Sequence, residues 1–159
     1  MTAETVALSP VEPGYRHVLR LRSLIFWLPL SIAAFVADRV FLTGTPAGGL
    51  PGTLVPLLGL IAVLVVPGRY YQRLGYALHP RMLQVVRGWL FHTDTIVPLV
   101  RVQHIDVTRG PLDKAFGTAT LVVHTAGTHN SIVTLPGLAP ERAADIRDEI
   151  RRHIRSDFE

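Results

Sequence analysis

The chain has 159 residues, enough for one ordinary domain or for a smaller domain with an appendage. It contains no cysteine, which excludes disulfides, thiolate nucleophiles and thiolate metal ligands. The formal charge of +4 is unevenly placed, because seven basic residues stand against three acidic residues between positions 69 and 114.

Two long uncharged segments follow one another near the N-terminus. The first runs from Ser23 to Ala37, and the second fills the interval between Arg39 and Arg69. About 20 consecutive apolar residues in a helix match the hydrocarbon thickness of a bilayer. We therefore predict a transmembrane hairpin over residues 23–68, with helices at about 24–42 and 50–67. The sequence TGTPAGGLPG between them predicts a tight turn.

The predicted hairpin contains two charged residues, and two other interpretations of its hydrophobic segments are open. Asp38 and Arg39, near the far end of the first helix, are expected to reach the headgroups or to pair with each other. The first segment could instead be a signal peptide, although its basic lead exceeds twenty residues and Phe35-Val36-Ala37 is a poor cleavage site. The pair could also be a buried hairpin of a soluble protein, although residues 69–159 look too few to cover it.

The basic residues that flank the hairpin predict its orientation. Arg16, Arg20 and Arg22 precede the first helix, and Arg69 and Arg73 follow the second, whereas the turn is neutral apart from the adjacent Asp38 and Arg39. Positively charged flanks stay on the cytoplasmic side. We predict a multipass protein of the cytoplasmic (inner) membrane, with residues 1–22 as a cytoplasmic N-terminal segment and residues 69–159 as a cytoplasmic domain.

After Arg73 the pattern changes to short alternating runs separated by turn residues, which is typical of antiparallel strands. We predict strands at residues 75–79, 82–87, 89–99, 102–108, 118–125 and 131–135. The third strand is expected to bend around residues 92–94, and residues 126–130 are expected to form the loop before the sixth.

A helix is predicted from Pro140, because proline suits the first helical turn. Ala143, Ile146, Ile150 and Ile154 follow at steps of three and four and form one apolar stripe, which must cover something. The predicted fold class is a membrane-anchored α+β protein, in which a two-helix hairpin precedes an antiparallel β sandwich or barrel capped by a C-terminal helix.

This order of features resembles the YdbS-like bacterial pleckstrin-homology (PH) membrane protein family. Two hydrophobic segments are followed by GYALHPRMLQVVRGWL, by IVPLVRVQHIDVTRGPLDKAFGTATLVVHTAG and by a terminal helix, so the resemblance covers residues 16–155. The family-like positions are Pro98, Leu99, Arg101, Val102, Gln103, Val107, Gly110, Pro111, Leu112, Phe116, Gly117, Leu121, Val123, Thr125, Ala126 and Gly127.

The resemblance implies a PH-like fold of two packed antiparallel sheets with about seven strands, one open end being capped by the C-terminal helix. Since the pattern yields six strands, one long strand is expected to be split. Val102 stands where isoleucine is commoner, and Lys114 replaces a frequent arginine. The family brings no catalytic residue and no cofactor.

The remaining side chains do not form a catalytic or metal-binding pattern. His79, His92, His104, His124 and His129 have no close ligand spacing, so we predict no metal site. A hydrolase would have to use Ser131 with His104 and Asp106, which no nucleophile motif surrounds. The glycine-rich turn lacks the lysine of a P-loop, and the basic residues flank a bilayer segment. We predict no enzyme, cofactor, small-molecule substrate or nucleic-acid partner.

The basic residues near the bilayer leave two interpretations open. Some of them could simply fix the topology, or the set could contact anionic lipid headgroups. The candidate headgroup contacts are Arg16, Arg20, Arg22, Arg69, Arg73, Arg81 and Arg87. We expect the domain to bind a protein partner or copies of itself at the membrane, with headgroup binding as the alternative.

Overall fold

The computed structural model describes residues 8–126 and 132–156 and divides into two units. The helical unit comprises residues 16–69. The β unit combines the residues up to Tyr15 with the residues from Tyr70 onward. Residues 127–130 of the predicted loop, with His129, and Ser131 of the predicted sixth strand lie outside the described residues.

Two long helices form the predicted hairpin. Helix α1 spans Gly14–Phe41 and helix α2 spans Leu50–Gln72. Helix α1 begins ten residues before its predicted start, because that start was set by hydropathy, whereas the polar sequence YRHVLRLRS is equally able to be helical. Only 6% of the most apolar stretch of α1 and 17% of that of α2 is buried. Core helices of a soluble protein would be mostly buried, so the exposure favours lipid as their solvent.

Within the helical unit, two glycines allow the helices to approach closely. A Cβ atom at Gly52 would lie 2.9 Å from Oδ2 of Asp38, and one at Gly59 would lie 3.1 Å from the ring of Trp27. The buried Asp38 carboxylate accepts a hydrogen bond of 2.8 Å from the Gly49 N–H. Asp38 therefore closes the turn of the hairpin and does not form the expected pair with Arg39, whose guanidinium lies over the ring of Phe35 at 5.1 Å.

The β unit contains seven strands in two antiparallel sheets, counted over the described residues. The first sheet has the order β1-β2-β3-β4 and the second the order β5-β6-β7. The strands are β1 Ser9–Pro10, β2 Gly75–Leu78, β3 Met82–Arg87, β4 Thr93–Pro98, β5 Val102–Thr108, β6 Ala119–Thr125 and β7 Ile132–Leu138. One 3-10 turn, Leu99–Arg101, joins the sheets; the short helix α3, Pro111–Ala115, follows β5, and α4, Pro140–Ser156, ends the described chain.

The seventh strand is β1, so the expectation that one long strand is split was wrong. Ser9 pairs with Tyr76 and Pro10 with Gly75. The N-terminal residues are also hydrogen-bonded to β7, since the Glu12 N–H donates to the Gly137 oxygen at 2.7 Å. Part of the predicted N-terminal segment thus belongs to the β unit.

The third predicted strand was placed too early, because residues 88–92 form a loop and β4 begins at Thr93. Gly88 has φ +133°, and a Cβ atom there would collide with the carbonyl oxygen of Phe91. The backbone therefore turns back on itself where a continuous strand was expected.

The core lies between the sheets and under α4. Leu83 and Val85 of the first sheet and Leu121 and Val123 of the second are fully buried, as are the residues Ala143, Ile146 and Ile150 of α4. The predicted apolar stripe is confirmed at these three positions, whereas its fourth member, Ile154, is half-buried. Helix α4 packs against β5 and β6. The sheets form a sandwich and do not close into a barrel, and the predicted fold class is otherwise confirmed.

Helix α3 was not predicted, and it explains part of the family-like sequence GPLDKAFG. The Asp113 carboxylate accepts hydrogen bonds from the Gly110 N–H at 3.0 Å and from the Thr118 hydroxyl at 2.9 Å. Gly117 adopts φ +66° just beyond the helix, a conformation that favours glycine. The motif therefore builds a closed turn between β5 and β6.

Candidate interaction surface

The free edge of the first sheet is formed by β4, which pairs with β3 and has no second neighbour among the described strands. Leu99 donates its N–H to the oxygen of Arg81 at 3.0 Å, just beyond the paired residues Met82 and Pro98. Because the hydrogen bonds of an antiparallel pair come at every second residue, this bond means that the N–H groups of Thr95 and Val97 point toward β3. The N–H groups of Asp94 and Ile96 therefore point away from β3 and are available to another strand.

The outward face of this edge carries three exposed apolar side chains beside the polar Gln84, which lies opposite Ile96. Val97 points into the core, whereas Met82, Ile96 and Pro98 lie on the opposite face and are exposed. Ile96 is 56% exposed, in the middle of the strand. We call these three residues the edge patch. It combines unpaired backbone groups with apolar side chains, which is the combination that a docking strand requires.

Charges of opposite sign lie at the two ends of the edge patch. Asp94, near the start of β4, accepts a hydrogen bond from the Gln84 side chain at 2.8 Å. The exposed Arg81 precedes Met82 and lies beside the end of β4, through its bond to Leu99. The strand therefore has an acidic start and a basic end.

The outer face of the second sheet carries a different group, in which one carboxylate lies between two imidazoles. His104 Nε2 lies 2.8 Å from Oδ1 of Asp106, and His124 Nε2 lies 3.5 Å from Oδ2. Sequence spacing missed this group because the antiparallel register, which pairs His104 with His124, creates it. No cluster of three or more residues able to hold a metal ion occurs within residues 8–126 and 132–156.

The structure describes two of the three residues that a hydrolase would have to use. His104 and Asp106 are in contact, but Ser131 lies outside the described residues. The two residues that do meet form an exposed pair on a sheet surface. Their contact orients an imidazole and supplies no nucleophile.

The structure distributes the seven candidate headgroup arginines over both units. Arg16, Arg20, Arg22 and Arg69 belong to the helical unit. In the β unit, Arg73 donates to the Trp89 oxygen at 3.0 Å, Arg87 reaches the Thr134 hydroxyl at 3.2 Å, and Arg81 is exposed.

Arg81 and Arg87 lie at opposite ends of β3, six residues apart along an extended strand, which corresponds to roughly 20 Å. They do not share one anion pocket, and Arg87 is occupied by β7. Headgroup contact by this set stays a prediction.

Arg142 on α4 donates a hydrogen bond to the Tyr76 hydroxyl at 3.3 Å, and this bond raises the pKa of the guanidinium. Arg147, five residues further on, holds the pKa of Asp148 below its usual value through a hydrogen bond of 2.9 Å. Both guanidinium groups stay charged at any physiological pH. They belong to α4 and lie outside the edge patch.

Comparisons with known proteins agree with this architecture. The family model described as "Bacterial PH domain" matches residues 23–154. The chain is 32% identical over 148 residues to the "UPF0699 transmembrane protein YdbS" of Bacillus subtilis (strain 168), an alignment that covers 91% of each chain. No solved structure gave a significant match. The name of this relative describes a transmembrane protein, in agreement with the two apolar helices.

Proposed function

The chain belongs to the bacterial PH domain family as a YdbS-like membrane protein, and on that premise we propose that its β unit docks onto a second copy of itself through the edge patch. The observation that carries the proposal is the free edge of β4. This edge offers the N–H groups of Asp94 and Ile96 together with an apolar face. The proposed role requires no chemical reaction, and the prediction that the chain is not an enzyme stays a prediction.

A second copy fits this edge because the edge is self-complementary. Antiparallel pairing of two β4 strands about Ile96 lets each Ile96 N–H donate to the Ile96 oxygen of the other copy. The Asp94 N–H of each copy then faces the oxygen of Pro98 in the other, whereas the Asp94 oxygen receives no bond in return, because proline has no N–H. The acidic start of one strand then lies opposite Pro98 of the other copy, one strand away from Arg81 of that copy.

Membrane anchoring favours this association. Two copies in one bilayer share orientation and are confined to a thin layer, which raises their effective concentration. An edge contact that is weak in dilute solution is therefore sufficient between anchored copies. An exposed apolar edge strand is otherwise an aggregation hazard, which a second copy seated on the edge removes.

The test uses the absence of cysteine in the native chain. Oxidation of an Ile96→Cys variant in native membranes should give a disulfide-linked dimer, because paired Cα atoms in such a ladder lie about 5.5 Å apart. Ile132→Cys, on exposed Ile132 of β7, is the matched control and should stay monomeric.

An Ile96→Lys variant should lose association, measured by energy transfer between fluorescently labelled copies. Equal crosslinking at both cysteine positions, or monomer alone at Ile96→Cys, would overturn self-docking. A discrete adduct of Ile96→Cys with another polypeptide would replace the second copy by that partner.

We further propose that both termini and the β unit face the cytoplasm, which is supported by the arginines on the outer flanks of the hairpin. Cysteine at Ala47 in the turn should react with a membrane-impermeant maleimide in intact cells. Cysteine at the exposed Ala126 should react only after lysis. The reverse pattern refutes the orientation.

Binding of anionic headgroups is the second candidate, and the basic excess between residues 69 and 114 favours it. Arg81 is the exposed candidate in the β unit whose side chain makes no hydrogen bond or ion pair with the described residues. Hydrogen exchange of the full chain in anionic and in neutral nanodiscs should differ around residues 79–83. Identical exchange removes this candidate.

A further inference from the structure

The loop between β3 and β4 exposes consecutive apolar side chains. Leu90 is 72% exposed and Phe91 is 79% exposed, and Trp89 before them is half-buried. We call these three residues the apolar loop. Loop tips in contact with water are usually polar, because an apolar side chain that stays in water contributes no burial energy to the fold. The composition indicates a non-aqueous environment for this tip.

The backbone of the apolar loop is fixed, so the side chains are displayed in a defined place. Gly88, with φ +133°, lies against the carbonyl oxygen of Phe91 so closely that any Cβ atom would collide with it. Arg73 donates from Nη1 to the Trp89 oxygen at 3.0 Å. Arg87, just before the loop, is tied to Thr134. Two hydrogen bonds, one at Trp89 and one just before the loop at Arg87, thus hold the backbone that carries the apolar tip.

Chain continuity brings this loop near the bilayer. Arg73 directly follows Gln72, the last residue of α2, and lies seven residues beyond Val66, where the apolar run ends. Seven residues of helix extend about 10 Å. The headgroup layer on each side of a bilayer is of similar depth, roughly 5–8 Å. Arg73, and with it the Trp89 oxygen to which it donates, therefore lies close to the membrane–water interface.

We propose that the apolar loop inserts into the interface of the bilayer that carries the hairpin. Leu90 and Phe91 occupy the outer acyl region, and Trp89 lies at the level of the headgroups, where its amphipathic ring is favoured. The lipid surface is preferred to a protein occupant because Arg73 joins the loop to the end of a membrane helix. Insertion gives the β unit a second point of attachment, independent of the edge patch.

The test measures the depth of Trp89 in the full chain. The only other tryptophan is Trp27, and a Trp27→Phe background leaves Trp89 as the single reporter. In proteoliposomes, lipids brominated near the headgroup should quench Trp89 more than lipids brominated near the chain ends, and aqueous acrylamide should quench it little.

A Leu90→Ser, Phe91→Ser double variant should lose the quenching by lipid and shift the emission to the red. Ile132→Ser, a matched change at an exposed apolar position of β7, should leave both unchanged.

A nitroxide on Phe91→Cys in the native background provides a second measurement that does not depend on Trp27. Its relaxation should respond to oxygen more than to a water-soluble nickel chelate. Trp89 open to acrylamide and unquenched by lipid would overturn the proposal. Trp89 shielded from both quenchers would assign the loop to a protein contact and would also overturn it.

Discussion

Replacing Asp113 with alanine should destabilise the β unit more than its position in a five-residue helix suggests. Its carboxylate closes two turns at once, since Oδ2 accepts from the Gly110 N–H and Oδ1 accepts from the Thr118 hydroxyl. Asp113 is 8% exposed and Thr118 is fully buried. The Thr118 hydroxyl therefore has no water at hand to replace the lost acceptor, whereas the Gly110 N–H is only half-buried.

The magnitude follows from these two bonds. A buried hydroxyl left without an acceptor costs about 1–3 kcal/mol. Loss of the side-chain bond at the start of α3 adds about 1 kcal/mol, as for a lost helix cap. The free energy of unfolding should therefore fall by about 2–4 kcal/mol, a large part of the roughly 5–15 kcal/mol that holds a domain together. Asp113→Asn keeps one acceptor oxygen and should lose less.

The assay again uses the cysteine-free chain, with Val123→Cys as a buried reporter in β6. Maleimide reacts there only when the β unit opens, so the labelling rate in native membranes reports the opening equilibrium. Asp113→Ala should accelerate labelling roughly 30- to 1,000-fold, at about 1.4 kcal/mol for each factor of ten. Asp145→Ala, an exposed aspartate of α4, is the matched control and should stay within about twofold. Equal rates for the two alanine variants would refute this account of α3.

Two glycine substitutions test close approaches, one in each unit. Gly52→Ala places a Cβ atom 2.9 Å from the Asp38 carboxylate and should lower the thermal stability of the full chain in detergent. Gly68→Ala, whose nearest neighbour is a flexible arginine atom at 3.6 Å, should not. Gly137→Ala combines φ +78° with a contact of 2.6 Å to the Tyr15 ring, so it should cost at least about 1 kcal/mol and accelerate labelling of the buried cysteine. Parent-like behaviour of Gly137→Ala would contradict the packing of Tyr15 on β7.

The elements that sequence predicts well are those whose signal is local and repeated. Both membrane helices were predictable from the length and apolarity of their segments, because a helix that spans a bilayer must be long enough and apolar enough. The bounds of β3 and β5 match the predicted ones, because turn residues mark both ends of each apolar run. The apolar stripe of α4 was equally legible at Ile146 and Ile150, which are fully buried.

The elements that were missed depend on distant partners or on single residues. Strand β1 has two residues and exists because Gly75 and Tyr76, far along the chain, pair with it. Helix α3 is too short for a periodic pattern, although Gly110, Pro111 and Asp113 form a legible helix start. In the apolar loop the residues have high strand propensity, and only the positive φ of Gly88 separates the loop from a strand.

The edge patch could not be predicted because it is created by register. Met82 and Pro98 lie far apart in sequence and become neighbours only when β3 and β4 pair. A shift of that pairing by one residue would turn Ile96 into the core and Val97 outward. Composition near these residues is unremarkable for a strand, so sequence could indicate a binding domain without locating its surface.

The two proposals constrain each other through symmetry. Copies with the same topology in one bilayer are related by a two-fold axis along the membrane normal, and two antiparallel β4 strands are related by an axis perpendicular to both strands. Both conditions hold together only when β4 runs parallel to the membrane surface. The six residues of β4 extend roughly 20 Å, and the apolar loop precedes Thr93 directly. Nitroxides at Thr93→Cys and Pro98→Cys should therefore report similar distances from the bilayer. A difference near the full length of the strand would allow loop insertion but exclude edge-to-edge pairing.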